Sequence, residues 1–292
     1  MPGRKPPAKL ELIRAESLAA LPWLLHGFST RLGGVSKAYG GSTLNLGFTD
    51  TDSRKAVEQN RARFLRALQA DASKRTETLL LLKQVHSDTI HVAESPSKQP
   101  RVGDGQITRV PGLLLAVQTA DCLPVMLVDP KHRAVGIFHA GWRGTLARIV
   151  EKGVAAMRLH FGSDPGKLLA AIGPGIHACC YAVGEEVHDR FASQFGYAET
   201  LFHKVFESDP VREKYPLLFL TARAPGHSDF GPKLHLDLVA ANRRQLLDAG
   251  VPMRNLWASP LCTSCRTDLF FSHRNEKGVT GRMMGAVGIR KV

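Results

Sequence analysis

Short apolar runs dominate the chain, and only four stretches carry a helical period. Leu10 to Ile13 and His26 to Thr30 alternate as strands do, and Arg31-Leu-Gly-Gly-Val-Ser-Lys-Ala-Tyr-Gly-Gly41 between them and the first helix demands a flexible loop. Ser53 is placed to cap a helix that buries Val57, Phe64, Leu65 and Leu68. The middle third reads as strands at Thr78 to Val85, Thr89 to Ala93, Leu113 to Gln118, Val125 to Val128 and Ala134 to Phe138. A helical period follows from Gly144 to His160, with Gly162 just past its end, and then a strand from Leu168 to Ile172 that runs into the turn Gly173-Pro174-Gly175. Gly184 to Phe195 suits a helix, residues 196–233 are irregular apart from the apolar run Leu217 to Leu220, and Asp237 caps a helix ending at Gly250. Asn255 to Ser259, Asp268 to Ser272 and Arg282 to Ile289 read as closing strands.

No Gly/Pro/Ser-rich linker and no repeat divides this pattern. Residues 10–292 are therefore expected to form a single α/β domain with a mixed β-sheet core flanked by helices, behind a mobile basic arm over residues 1–9. Hydrophobic residues at 43% and charged residues at 22% exclude disorder, collagen and coiled coil. The longest apolar runs are far shorter than the roughly 20 residues of a membrane span, and the basic N-terminus leads into no long apolar stretch, so neither a membrane nor a secretory signal is expected. A cytoplasmic location follows, and the odd count of five cysteines agrees with a reducing compartment.

The net charge of 39 − 26 = +13 attracts polyanions and phosphate-bearing ligands. The basic residues are scattered and no nucleic-acid-binding motif accompanies them, so no specific nucleic-acid partner is expected. Cys262-Thr-Ser-Cys265 is a lone C-x-x-C without a second spaced pair, and Cys179 and Cys180 carry no assigned role.

Three residues at the ends of predicted strands have the chemistry of a metal site: His86, Cys122 and His139. Two imidazoles and a thiolate are donors that zinc favours, and three protein ligands leave a fourth position for water or substrate. Their spacing alone fits equally well two satisfied histidines and a buried cysteine.

Thr30-Arg-Leu-Gly-Gly-Val-Ser36, Leu44-Asn-Leu-Gly47, Lys83-Gln-Val-His86, Thr119-Ala-Asp-Cys-Leu-Pro124, Phe138-His-Ala-Gly-Trp-Arg-Gly144, Ala171-Ile-Gly-Pro-Gly-Ile176, Cys180-Tyr-Ala-Val183, and Asp268-Leu-Phe-Phe-Ser272 with Thr280-Gly-Arg282 follow one another along residues 26–290. In this order they resemble the polyphenol oxidase/laccase-domain family, also called the YfiH or YlmD family, of zinc-dependent purine nucleoside phosphorylases. The resemblance implies a zinc site at His86, Cys122 and His139, and phosphorolysis of adenosine, inosine, guanosine and 5′-methylthioadenosine, with adenosine deamination as a further activity. It also implies purine nucleosides and inorganic phosphate as partners, and a homodimer at the level of the family. The chain departs from the family pattern at Ser87, where Gly is usual, at Ala182, where Glu is usual, and at His273, where Tyr is commoner.

Phosphorolysis requires an anion held near C1′ of the sugar. Arg31, in its glycine-rich loop, offers a fork of donors for phosphate, and Arg143 is a second cation; either also fits a surface arginine. Asp121 beside Cys122 is placed to orient a metal-bound water or an imidazole N–H, and Asn45 joins Arg31, Asp121 and Arg143 in the expected substrate site. Three alternatives stay open. A copper-dependent polyphenol oxidase (laccase) is disfavoured because the 12 histidines include no His-x-His pair, although a single copper fits the same ligands. A cysteine-type amidase or hydrolase in peptidoglycan editing would use Cys122 as nucleophile with His86 or His139 as base. A basic zinc-containing binding module would hold metal without turnover.

Overall fold

The computed structural model describes residues 9–69, 78–97, 99–205 and 232–291. Of the basic arm expected over residues 1–9 only Lys9 lies within them, and the apolar run Leu217 to Leu220 lies outside. The chain forms two compact units, one of Met1–His177 with Leu238–Val292 and one of Ala178–Asp237.

The first unit runs β1 (Leu12–Ile13), α1 (Glu16–Ala19), β2 (Leu24–Ser29), α2 (Arg54–Ala67), β3 (Thr78–Leu81), β4 (Ile90–Val92), β5 (Gly105–Thr108), β6 (Leu113–Thr119), β7 (Leu123–Asp129), β8 (Ala134–Ala140), α3 (Trp142–Leu146), α4 (Ile149–Phe161) and β9 (Leu169–Ile172). The second unit inserts β10 (Ala182–Val183), α5 (Glu185–Ala192), β11 (Phe202–Val205) and β12 (Lys233–Leu236). The first then resumes with α6 (Leu238–Asp248), β13 (Leu256–Ala258) and β14 (Met283–Ile289).

Two sheets build the first unit, in the orders β1-β2-β14-β6-β3 and β13-β9-β7-β8-β5-β4. The pairs β3/β6, β4/β5 and β9/β13 are parallel and the remainder antiparallel, which makes the fold a mixed α/β one. Leu115 and Val117 of β6, Val287 and Ile289 of β14, and Phe28 of β2 meet Met126, Val128, Val135 and Ile137 of the other sheet in one core. The alternate residues Leu114, Ala116, Met284 and Ala286 face outward and are covered by Phe64 and Leu68 at the end of α2. Burial on both faces is why β6 reads as a continuous apolar run. Ser53 caps α2 as its sequence predicts, accepting from the Ala56 N–H at 3.2 Å.

The second unit is a small antiparallel sheet, β10-β12-β11, with Ala182 opposite His235 and Phe202 opposite Leu236. Phe191 of α5 packs edge-on against Phe202 and beside Phe195, which gives this unit its apolar centre. Strand β11 lies within the stretch expected to be irregular and β12 begins at its last residue; Phe202-His-Lys-Val205 and Lys233-Leu-His-Leu236 alternate too briefly to stand out from sequence.

Several expected elements are corrected. Residues 144–160 are not one helix: α3 and α4 part at Arg148, which takes a left-handed φ of 62°. Gln245 and Asn242 of α6 donate to the carbonyl and hydroxyl of Thr145, so side chains from another element serve the groups exposed at the break. Asp268 to Ser272 is not a strand: Leu269 and Phe270 donate their N–H groups to the Arg266 carbonyl in a turn, and the apolar run exists because Phe270 and Phe271 are buried. Strand β5 escaped notice because Gly105-Gln106-Ile107-Thr108 offers a single large apolar side chain. The run from Thr78 stops at Leu81 instead of Val85, since the chain then turns to present His86.

Candidate metal centre

The antiparallel pairing of β7 with β8 brings two candidate ligands together. His139 lies opposite Pro124, and Cys122 stands just before β7, next to the Leu123–Ala140 pair. His86 comes from the connection between β3 and β4. Its Nε2 lies 3.8 Å from Cys122 Sγ, its ring stands edge-on to that of His139 with centroids 4.9 Å apart, and one ligand atom from each residue falls within 4.8 Å of the others. Tetrahedral zinc with ordinary bond lengths separates a sulfur from a nitrogen by about 3.6 Å. The donor set and its spacing fit such an ion.

Gly141 shows why the sequence around His139 is as it is. A Cβ there would sit 2.8 Å from Cys122 Sγ and 3.1 Å from the His86 ring, inside the space that the ligands enclose. His139 is buried, Cys122 is partly exposed and His86 is exposed, so the centre opens on the His86 side.

A residue that the sequence reading passed over organises this group. Asp104, fully buried ahead of β5, accepts from His139 Nδ1 at 2.8 Å and from the His86 N–H at 3.0 Å through Oδ1. Through Oδ2 it accepts from the N–H groups of Val85 and Ser87 and from the Ser87 hydroxyl. Asp104 reads as turn chemistry in Gly103-Asp-Gly105, and its partner lies 35 residues on, so only an excess of buried donors around one carboxylate could have revealed it.

Charge follows geometry. Burial pushes the Cys122 thiol up, but the His139 charge and hydrogen bonds from both imidazoles outweigh it and bring the thiol to about 6. Burial pushes His139 down, while the Cys122 thiolate and Asp104 raise it to about 9. Asp104 is pushed up by burial and pulled far lower by His139 and Ser87, so it remains a carboxylate. The metal-free site is thus a thiolate beside an imidazolium, and a divalent cation would take the place of the proton.

Residues 25–290 match the family model described as multi-copper polyphenol oxidoreductase laccase. The chain belongs to that family. A protein of Deinococcus radiodurans named purine nucleoside phosphorylase is 38% identical over 281 residues, covering 96% of this chain and 93% of its own. A relative from an unknown prokaryotic organism, named adenosine deaminase RL5, is 30% identical over 268 residues and covers 88% of this chain and 91% of its own. The crystal structure of the Bacillus licheniformis hypothetical protein YfiH superposes with a TM-score of 0.77 at 31% identity, covering 98% of this chain and 97% of that one.

Of the other expected site residues, three are engaged by the chain itself and Arg143 is exposed. The Arg31 guanidinium, 12% exposed, donates to the carbonyls of Thr267, Phe270 and Tyr39, pairs with Glu276 at 3.0 Å and lies over the Phe271 ring. These bonds, three from Nη1 and one from Nη2, clasp the glycine-rich loop to residues 267–276. Asn45 donates to Gly47 and Asp52 and accepts from the N–H groups of Gly47 and Arg282, so its amide holds the chain. Asp121, at a φ of 93°, accepts from the Thr263 hydroxyl and the Arg274 N–H. The carboxylate that meets His139 Nδ1 is that of Asp104. Arg143 is exposed on α3, two residues past Gly141, with its guanidinium 4.4 Å above the Trp142 ring.

Among the described residues the five cysteines form no disulfide, and no helix is long and apolar enough to cross a membrane.

Proposed function

We propose that this chain is a zinc-dependent purine nucleoside phosphorylase that cleaves adenosine, inosine, guanosine and 5′-methylthioadenosine with inorganic phosphate, and that the same site deaminates adenosine. The observation that carries the reading is the open His86–Cys122–His139 group, with His139 fixed through Nδ1 by Asp104. The names of the Deinococcus relative and of RL5 support the two activities. When bound, zinc supplies Lewis-acid polarisation of a substrate oxygen or nitrogen.

The chain's own residues supply the remainder. His86, Cys122 and His139 hold the ion, Asp104 keeps the His139 Nδ1–H so that Nε2 faces inward, and Gly141 keeps the approach open. Arg143 is the cation proposed to meet phosphate, since it is exposed and follows closely on Gly141. Arg31 shapes the glycine-rich loop through its bonds to Tyr39, Thr267, Phe270 and Glu276.

Zinc rather than a copper cluster is favoured because the described residues contain no further group of three that includes histidine. The runner-up is a cysteine hydrolase, to which the Cys122 thiolate beside His139 also lends itself. Metal ligation would consume that thiolate, so the two readings exclude each other.

The test is elemental analysis of protein purified without a metal-binding tag, joined to chromatography of adenosine and inosine incubated with and without phosphate. About one zinc per chain at this centre, with base release that requires phosphate, is the expected result. Metal-free protein that releases no base and hydrolyses amides in a Cys122-dependent way would overturn it.

A further inference from the structure

We infer that Asp104 is the positioning residue of the metal centre, one buried carboxylate that sets two of the three ligands at once, with Ser87 completing its hold. The inference rests on the metal-centre reading above. Each oxygen of Asp104 has its own task. Oδ1 receives the His139 Nδ1–H, which fixes the ring's tautomer and rotation and leaves Nε2 as its ligand atom.

The same carboxylate gathers the N–H groups of Val85, His86 and Ser87. His86 needs that support, because its φ of 60° lies in the left-handed region that a side-chain-bearing residue rarely adopts. The main chain adds a further tie: the His139 N–H donates to the Asp104 carbonyl at 2.7 Å, and the Asp104 N–H donates to the Thr89 carbonyl. Gly105 lets the strand come this close, since a Cβ there would fall 2.8 Å from both Ile90 and Phe138.

Ser87 adds a second tie to the carboxylate. Its hydroxyl donates to Asp104 Oδ2 at 2.8 Å and accepts from the Thr89 N–H, so it locks the connection after His86 to the carboxylate from a second side. Asp104 is fully buried and engaged at both oxygens, so it touches neither substrate nor ion and acts through the histidines.

The test uses the full chain loaded with zinc or cobalt(II). Asp104→Asn cannot accept from all these donors, because half of its amide is itself a donor. Zinc affinity, read by competition with a chromophoric chelator, should fall on the order of 10–100-fold, and the cobalt spectrum should change shape. Ser87→Ala keeps the amides and the His139 bond and should lose affinity by less than Asp104→Asn. A measurement that needs no variant stands beside these: nitrogen-detected NMR of the zinc-loaded wild-type chain should show His139 protonated at Nδ1.

Affinity within twofold of wild type and an unchanged cobalt spectrum in Asp104→Asn, or a His139 protonated at Nε2, would overturn the positioning role while leaving the metal reading in place. A wild-type chain that takes up neither zinc nor cobalt at Cys122 would instead overturn the metal reading itself.

Discussion

At the scale of single residues, the fold places hard constraints where a side chain has no room to adjust. Gly141 is one: a methyl group at that position enters the space between Cys122 and His86. Gly141→Ala should therefore lower metal affinity by about tenfold or more, taking an overpacking cost of 1–3 kcal/mol against 1.4 kcal/mol per decade. The melting temperature of the metal-free chain should hardly move, and the pair of measurements, chelator competition and calorimetry, separates a blocked site from a damaged fold. His26 is constrained by burial instead. Burial, and then the Arg14 charge, hold it down at about 4 against a hydrogen bond to the Ala15 backbone, and its Nε2 finds no hydrogen-bond partner among the described residues. The unfolded chain, with an ordinary imidazole near 6.5, takes up a proton before the folded one does. Stability is therefore lost as pH falls from about 6.5 to about 4, by roughly 3 kcal/mol at 1.36 kcal/mol per unit. Comparing denaturant unfolding of wild type and His26→Leu at pH 7 and pH 4 isolates that contribution, and an equal loss in both chains would remove His26 as its source.

At the scale of elements, what holds the long connection between β2 and α2 is Asn60. Fully buried on α2, it donates to the Ser36 hydroxyl and to the carbonyls of Thr43 and Asn45 and accepts from the Val35 N–H. Asn60→Ala would take the donor from the buried Ser36 hydroxyl and Asn45 carbonyl, each unsatisfied group costing about 1–3 kcal/mol, so a loss of about 2 kcal/mol or more in urea unfolding is expected. A loss below 1 kcal/mol would show that the loop holds itself. Asn60 also illustrates what the sequence made legible and what it did not. The period of α2 and the apolar runs of β6, β7, β8 and β14 stand out because burial repeats a simple spacing, whereas the ligand trio is legible only through its donor chemistry and the motifs that carry it. Asn60, Asp104 and the clasp of Arg31 on Glu276 do not, because each is a polar group satisfied by partners tens to hundreds of residues away. Motif membership marked Arg31 and Asn45 as functional without saying whether they touch a ligand or the chain. Only their hydrogen bonds separate those cases. The turn at Asp268 to Ser272 failed in the opposite way, since buried Phe270 and Phe271 look like strand when their packing is not known.

For the whole molecule, the proposed ion ties function to stability. Its ligands come from three separate places in the chain, the connection after β3, the residue before β7 and the end of strand β8, so an unfolded chain cannot reproduce the site. An ion that binds only the folded state stabilises it by about 2.7 kcal/mol when present at 100 times its dissociation constant. For a unit of this size that corresponds to a rise of roughly 5–10 °C in the melting transition. Calorimetry of the chelator-treated chain, before and after addition of zinc, should show this rise, and Cys122→Ser should lose most of it. Phosphate-dependent base release should return with the same zinc titration, because one ion is proposed to serve both. A rise of equal size in Cys122→Ser would place the ion elsewhere in the molecule and detach the stability effect from the reaction. A full rise with no return of activity would keep the metal centre and take from it the phosphorolysis of nucleosides.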